Sequence, residues 1–271
     1  MIPVPIGALE SVPIPRLERA RQKEGGKVTL LGQIKRIVNR WIAPLTGHVL
    51  AHESVVPSFE RFARRLRAAG LDPRTVFDIG VAEGTPWLYQ AFPNAHFVLI
   101  DPTREALPYM RKWAQKLDAE IWNFALGDQE GVARINVRSE IGGSTFYEEI
   151  GEAEIVRTYD VIVRRFDDVV GEIVRPSICK IDVQGAELRV LRGMHKRISE
   201  IDVILCEASL IATIKSGPEI GEVFEFMREV NFVLYDIVGI TRRPLDHALA
   251  QVDLVYVPAG SPLRSDRRWS R

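Results

Sequence analysis

The sequence has little from which to build a secreted, disulfide-stapled or membrane-spanning protein. Only two of its 271 residues are cysteine, Cys179 and Cys206. Each sits inside an apolar run, so they read as small buried hydrophobes of a reducing compartment, not as a disulfide or a metal pair. No window approaches the roughly 18 consecutive apolar residues of a membrane span. The N-terminal stretch MIPVPIGALESVPIPRLERA has no basic segment leading into an unbroken apolar run, and is not expected to be a signal peptide. An excess of charge of one sign is missing too, with 36 basic residues against 36 acidic. No basic stripe is left for a nucleic-acid backbone. A soluble, cytoplasmic protein is expected.

What is present is core material. Apolar residues make up 46% of the chain, enough for one large domain or two small ones. Residues 1–26 are rich in proline and end in Glu24-Gly25-Gly26, which predicts an arm of little regular structure. Leu30, Leu31, Ile34, Ile37, Val38 and Trp41 follow at helical spacing, with Lys35, Arg36 and Arg40 between them. This amphipathic helix either packs on a protein surface or lies on a membrane. Residues 1–50 carry eight basic and three acidic residues, a hint of an acidic partner surface. A second amphipathic helix, 56–70, closes on Gly70.

From residue 75 apolar runs of strand length alternate with helical segments: TVFDIG, AHFVLIDP, SICKIDV and IDVILCEA are the clearest runs. Such alternation predicts a doubly wound, mostly parallel α/β sheet, and unbroken apolar strands fit a sheet covered on both faces. FVLYDIVG and VDLVYVP have no helix between them, so the last strand should run antiparallel. GVARINVR and YDVIVRRF alternate and read as added strands. The expected divisions are an arm with its helix at 1–55, the sheet domain at 56–258 and a basic tail at 259–271.

In such sheets ligands bind beyond the carboxyl ends of the strands. VFDIGVAEG, residues 76–84, ends a strand there with Asp78, Gly80 and Gly84. Gly80 can turn sharply at positive φ, Gly84 can let backbone approach a ligand, and Asp78 can present a carboxylate. A dinucleotide site wants glycine where this chain has Asp78. An acid repels phosphate and suits S-adenosylmethionine, which carries a sulfonium and an ammonium but no phosphate. Asp101, ending the next strand, can bind ribose hydroxyls in either case. A plain strand-to-helix turn is the alternative reading of the motif.

The chain resembles the FkbM-type methyltransferases, a branch of the class I S-adenosylmethionine-dependent enzymes. VFDIGVAEGT (76–85), LIDP (99–102), NFALGD (123–128), RRFDDVV (164–170), KIDVQGAELRVLRGM (180–194), ILCEA (204–208) and QVDLVYV (251–257) carry the resemblance. It spans about residues 70–258. The chain departs from the family pattern at Val81-Ala82, at Asp101 and at Gln184, where Glu is common. The resemblance implies a seven-stranded Rossmann-like methyltransferase sheet with an antiparallel last strand, and methyl transfer to an oxygen, often on a sugar or natural-product scaffold. It places the cofactor on Asp78, Gly80, Ala82, Glu83, Gly84, Asp101 and Pro102, with Asn123, Phe124 and Ala125 against the adenine.

At the reacting end, Asp182 can touch the methionine amine or take a proton from an acceptor hydroxyl; alternatively it caps the helix that follows. Glu187 reads as electrostatics at that helix start. Glu207 can orient an acceptor, or with Asp182 hold a divalent ion, although two carboxylates are few for a magnesium site and no metal is expected. His247, in the hairpin TRRPLDHALAQ with Arg242 and Arg243, is expected at the acceptor as a second catalytic residue, or else on a solvated loop. GGSTFY (142–147) reads as a lid or a simple turn, and His96 and His195 as structural. The expected partner is a small-molecule hydroxyl acceptor, with self-association through the N-terminal helices. An NAD-dependent oxidoreductase and a non-catalytic assembly protein are the competing functions.

Overall fold

A computed structural model describes residues 30–46, 50–51, 56–151, 154–215 and 217–269. The chain divides into two units, Met1–Val56 and Pro57–Arg271. In the first, α1 (Leu30–Thr46) is the expected amphipathic helix, beginning at Leu30 and running past Trp41 to Thr46. Ile34, Ile37 and Trp41 are exposed along it. Asn39 closes it onto the following chain by exchanging two hydrogen bonds with Leu50, at 2.6 and 2.8 Å. The proline-rich arm lies outside the described residues, as does His52.

The second unit opens with α2 (Phe59–Ala68), which buries Phe62, Ala63 and Leu66. Ser58 caps it, and Gly70 ends it at a φ of +79°, the left-handed conformation that glycine adopts without penalty. The sheet then builds in the order β3-β2-β1-β7-β8-β10-β9. Its strands are β1 (Thr75–Ile79), β2 (His96–Ile100), β3 (Ala119–Trp122), β7 (Ser177–Ile181), β8 (Val203–Ser209), β9 (Phe232–Arg242) and β10 (Leu249–Pro258). β1 pairs in parallel with both β2 and β7, and β10 runs antiparallel between β8 and β9. This is the doubly wound architecture expected from the apolar runs, with the seven strands that the resemblance implies.

Alternation along the strands sends side chains to two cores. Phe77, Ile79, Cys179 and Ile181 face a core shared with α6 (Glu187–Gly193) and α7 (Ile220–Glu229). Val76, Phe97, Leu99 and Ile178 face the other, with α2, α3 (Pro86–Ala91) and α4 (Leu107–Ala114). A fully buried Leu or Phe contributes about 1.5–3 kcal/mol, so both faces are anchored by many such contacts. Both cysteines are buried and unpaired.

The added strands do not extend the main sheet. β4 (Ala125–Leu126), β5 (Gly131–Arg138) and β6 (Ile155–Arg164) form a separate three-stranded sheet in the order β4-β6-β5, and the short helix α5 (Phe166–Val169) follows β6. Ala125, Val137, Val161 and Val163 give it a small core of its own. No described helix is long and apolar enough to cross a membrane.

Candidate active site

A cavity of about 470 Å³ opens at the carboxyl ends of β1, β2, β7 and β8, within the 300–1,000 Å³ of ordinary small-molecule sites. Its floor is the 80–84 loop. Gly80 sits at φ +85° and donates to the Ile100 carbonyl at 2.9 Å. A Cβ there would collide with the Asp182 carbonyl, so the glycine serves two ends, the turn and the close passage of the β7 strand end. Gly84 sits at φ +117°, and what approaches it is the Trp113 indole rather than open ligand space. That indole N–H donates to the Glu83 carbonyl at 2.9 Å. Gly84 donates to the Val81 carbonyl at 2.7 Å, and Ala82, at φ +46°, donates to Asp101 Oδ2 at 2.9 Å.

Asp101 is buried at the end of β2. Its Oδ1 accepts from the Thr103 amide at 2.8 Å and the Thr103 hydroxyl at 2.6 Å. Burial pushes its carboxyl above the ordinary range against the pull of those bonds. A carboxylate offers about four acceptor positions, so one is left, on Oδ2. Pro102, Phe124 and Ala125 line the cavity beside it. Asn123 does not; its amide donates to the Asp101 and Thr103 carbonyls, at 2.8 and 3.1 Å, and so fixes the wall from behind.

Asp78 is the first correction. It is fully buried and does not line the cavity. Two residues after Val76, its side chain points to the same face, toward α3, where the Tyr89 hydroxyl donates to Oδ2 at 2.5 Å. Lys180, its register partner on β7, stands 3.3 Å from Oδ1. The lysine also donates to the Gly80 carbonyl at 2.9 Å and lies 3.5 Å from Asp182 Oδ2. Burial disfavours its charge, but Asp78 and Asp182 more than compensate and hold its pKa above the usual lysine value. Asp78 is thus joined to the loop through Lys180 and does not face the cavity. Sequence reasoning missed Lys180, although a lysine inside the apolar run SICKID is a signal that a buried partner exists.

At the other end Asp182, Gln184 and Glu207 converge. Gln184 sits at φ +48°, and its side-chain amide donates to Asp182 Oδ1 and to Glu207 Oε2, both at 2.9 Å. Burial raises both acids, but Lys180, Gln184 and Glu207 outweigh it at Asp182, which is held low and ionised. Glu207, buried beside that charge, keeps its proton and is pushed up to about 10. Glu187, the first residue of α6, holds the loop that leads into it, accepting from the Val183 amide at 3.0 Å and the Gly185 amide at 3.0 and 3.1 Å; burial pushes it up to about 7. No side chain caps α6, so Asp182 does not serve as its cap.

The β5–β6 connection crosses the cavity mouth. Ile141, Gly142, Ser144 and Phe146 line it, and the Thr145 hydroxyl donates to the Gln184 carbonyl at 2.7 Å. Phe59 and Trp87, stacked at 4.7 Å, form another part of the lining.

His247 is the second correction. It is exposed, at φ +60°, in the β9–β10 hairpin and outside the cavity lining. The hairpin's charged groups bond to one another: Arg243 pairs with Asp246, and Arg242 donates to the His247 carbonyl at 2.9 Å. Instead, Thr241, Gln251 and Asp253 from the strands themselves reach the cavity.

A mostly parallel sheet with an inserted antiparallel strand, a glycine loop at the end of β1 and acids at the ends of β2 and β7 define a methyltransferase-type α/β protein. The family model of the methyltransferase FkbM domain matches residues 78–234. The chain belongs to the FkbM methyltransferase family and is an enzyme of that class. No curated protein matches it. Among solved structures it is similar to the magnesium protoporphyrin IX methyltransferase of Synechocystis PCC 6803 with bound SAH, at 8% identity and a TM-score of 0.43, covering 87% of this chain and 90% of that one. It is also similar to the 1,6-didemethyltoxoflavin-N1-methyltransferase of Burkholderia thailandensis, at 12% identity and a TM-score of 0.40, covering 73% and 77%.

Proposed function

We propose that the enzyme methylates a hydroxyl of a small polar acceptor, a sugar or natural-product scaffold, using S-adenosylmethionine. The observation that carries the reading is Asp182, ionised at the end of β7 and facing the cavity, tied through Lys180 to the loop that would hold the cofactor. S-adenosylmethionine supplies an electrophilic methyl group on a sulfonium and leaves as a neutral thioether.

The residues fit that group. Gly80, Ala82 and Gly84 already donate their amides within the protein. Those three amides are closed to a pyrophosphate, and the Asp182 carboxylate in the same cavity would repel its phosphates, which speaks against NAD. Asp101 retains one acceptor position for a ribose hydroxyl, and Phe124 offers a flat wall for adenine.

Methyl transfer needs mainly alignment of the acceptor oxygen with the reacting carbon. As that oxygen gains its new bond it must lose its proton, and Asp182 receives it. Gln184 fixes the carboxylate's orientation, and Lys180 keeps it ionised before the transfer. Phe146 and Ile141 from the β5–β6 connection exclude water. Gln184 places its amide between Asp182 and Glu207, where a divalent ion would have to bind, and the proposal includes no metal.

The test is transfer of labelled methyl groups into cell extract, separated into small-molecule, polysaccharide, protein and nucleic-acid fractions. Label is expected in the sugar-containing and small-molecule fractions, with Asp182→Asn slowing transfer about 10²–10⁴-fold. Label confined to protein or nucleic acid would overturn the acceptor class.

A further inference from the structure

The wall of the cavity beyond Asp182 belongs to β8, β9 and β10, where Glu207, Thr241, Gln251 and Asp253 face inward. Asp253 stands opposite Glu207 in the β8–β10 ladder and opposite Gly239 in the β9–β10 ladder. A Cβ on Gly239 would collide with Asp253 Oδ2. Gly239 has no positive φ that would itself call for glycine. Its missing side chain is what makes room for the carboxylate.

That carboxylate is half-buried, yet it accepts no hydrogen bond and makes no ion pair among the described residues. Gln184 satisfies Asp182 and Glu207 and gives nothing to Asp253. Lys180, the one basic residue lining the cavity among those described, is already engaged by Gly80, Asp78 and Asp182. Burial and the nearby Asp182 charge push Asp253 up to about 6. Its oxygens remain reachable from the cavity and so are open to a ligand's donor; the fold keeps a half-buried, unpaired acceptor at the acceptor end of a reaction cavity and clears space around it.

We propose that Asp253, with Glu207 beside it, binds a protonated amine that the methyl acceptor carries next to its reacting hydroxyl. The substrate class is then an amino alcohol, such as an aminated sugar or cyclitol. A neutral diol could bond to the same oxygen but would leave the repulsion between Asp182 and Asp253 in place, whereas an ammonium removes it. The inference rests on the methyl-transfer reading above and narrows its acceptor.

The experiment uses the full chain. S-adenosylhomocysteine binding is measured first by calorimetry. The complex is then titrated with 2-aminoethanol and with ethylene glycol, the smallest pair that differs only in an amine for a hydroxyl. The amine is expected to bind at least about tenfold more tightly, the scale of one charge-assisted bond. Asp253→Asn should bring the two probes to similar affinity. Gly239→Ala, which crowds the carboxylate without removing it, should reduce the preference as well. S-adenosylhomocysteine affinity reports whether each variant is folded. Complex formation with no preference for the amine, or with neither probe bound, overturns this inference and leaves the methyltransferase reading intact. A preference that survives in both variants overturns it too. Failure of S-adenosylhomocysteine to bind the wild-type chain brings down both.

Discussion

Replacing Lys180 with Met should cost far more than one surface charge. Asp78 is fully buried, and its contacts are the Tyr89 hydroxyl and the lysine ammonium 3.3 Å away. Removing the ammonium leaves a buried carboxylate with one neutral donor. Breaking a buried pair from one side typically costs about 3–5 kcal/mol, a large share of a stability of 5–15 kcal/mol. The Gly80 carbonyl loses its 2.9 Å donor as well, which adds about 1 kcal/mol. Chemical denaturation reports the loss through Trp87, Trp113 and Trp122, which all lie in the sheet unit. The cause is isolated by a double-mutant cycle. In an Asp78→Asn background the charge is gone, and Lys180→Met should then cost much less. A loss under about 1 kcal/mol in the wild-type background, or an equal loss in both, would refute the assignment of Lys180 as the buried counter-charge of Asp78.

Gly80→Ala should abolish cofactor binding while destabilising the chain, because a Cβ at φ +85° is strained and also strikes the Asp182 carbonyl; a variant that binds S-adenosylhomocysteine normally would contradict the loop geometry. The Glu207 carboxyl is pushed up from 4.5 to about 10, so between those values the folded chain binds more protons than the unfolded one. Its contribution to stability is then full below about pH 4.5 and declines as pH rises toward 10, by at most about 1.4 kcal/mol per pH unit. Glu207→Gln should flatten that decline in denaturation midpoints taken between about pH 5 and pH 9, and an unchanged slope would remove Glu207 as the proton holder.

The strands and the fold were legible because the apolar runs are long and unbroken, and because the missing helix before VDLVYVP forces an antiparallel strand. The site was legible in part. Gly80, Ala82, Glu83, Gly84, Asp101, Pro102, Phe124, Ala125 and Asp182 do line the cavity. Asp78 was misplaced because a motif reading ignores alternation: position 78 follows Val76 onto the α3 face, and its register partner is Lys180. Gly84 faces Trp113, which lies beyond α3 and β2 in the sequence, a contact that local pattern does not encode. His247 drew attention as a histidine in a polar loop, but Arg242, Arg243 and Asp246 bond to that loop's own backbone and to each other. Asp253 was visible as an acid inside the apolar run QVDLVYV, the same signal that Lys180 gives. A charge in an otherwise apolar strand marks either a buried pair or a cavity, and the sheet order decides which.

In the proposed function the 80–84 loop and the acids at the ends of β2 and β7 hold S-adenosylmethionine and not a dinucleotide. Calorimetric titration of the full chain with S-adenosylhomocysteine and, separately, with NAD tests it most directly. Saturable binding of S-adenosylhomocysteine with no detectable heat from NAD is the predicted result. Binding of NAD with none of S-adenosylhomocysteine would contradict it, because a loop whose Gly80, Ala82 and Gly84 amides are already bonded within the protein would then have to accept a pyrophosphate.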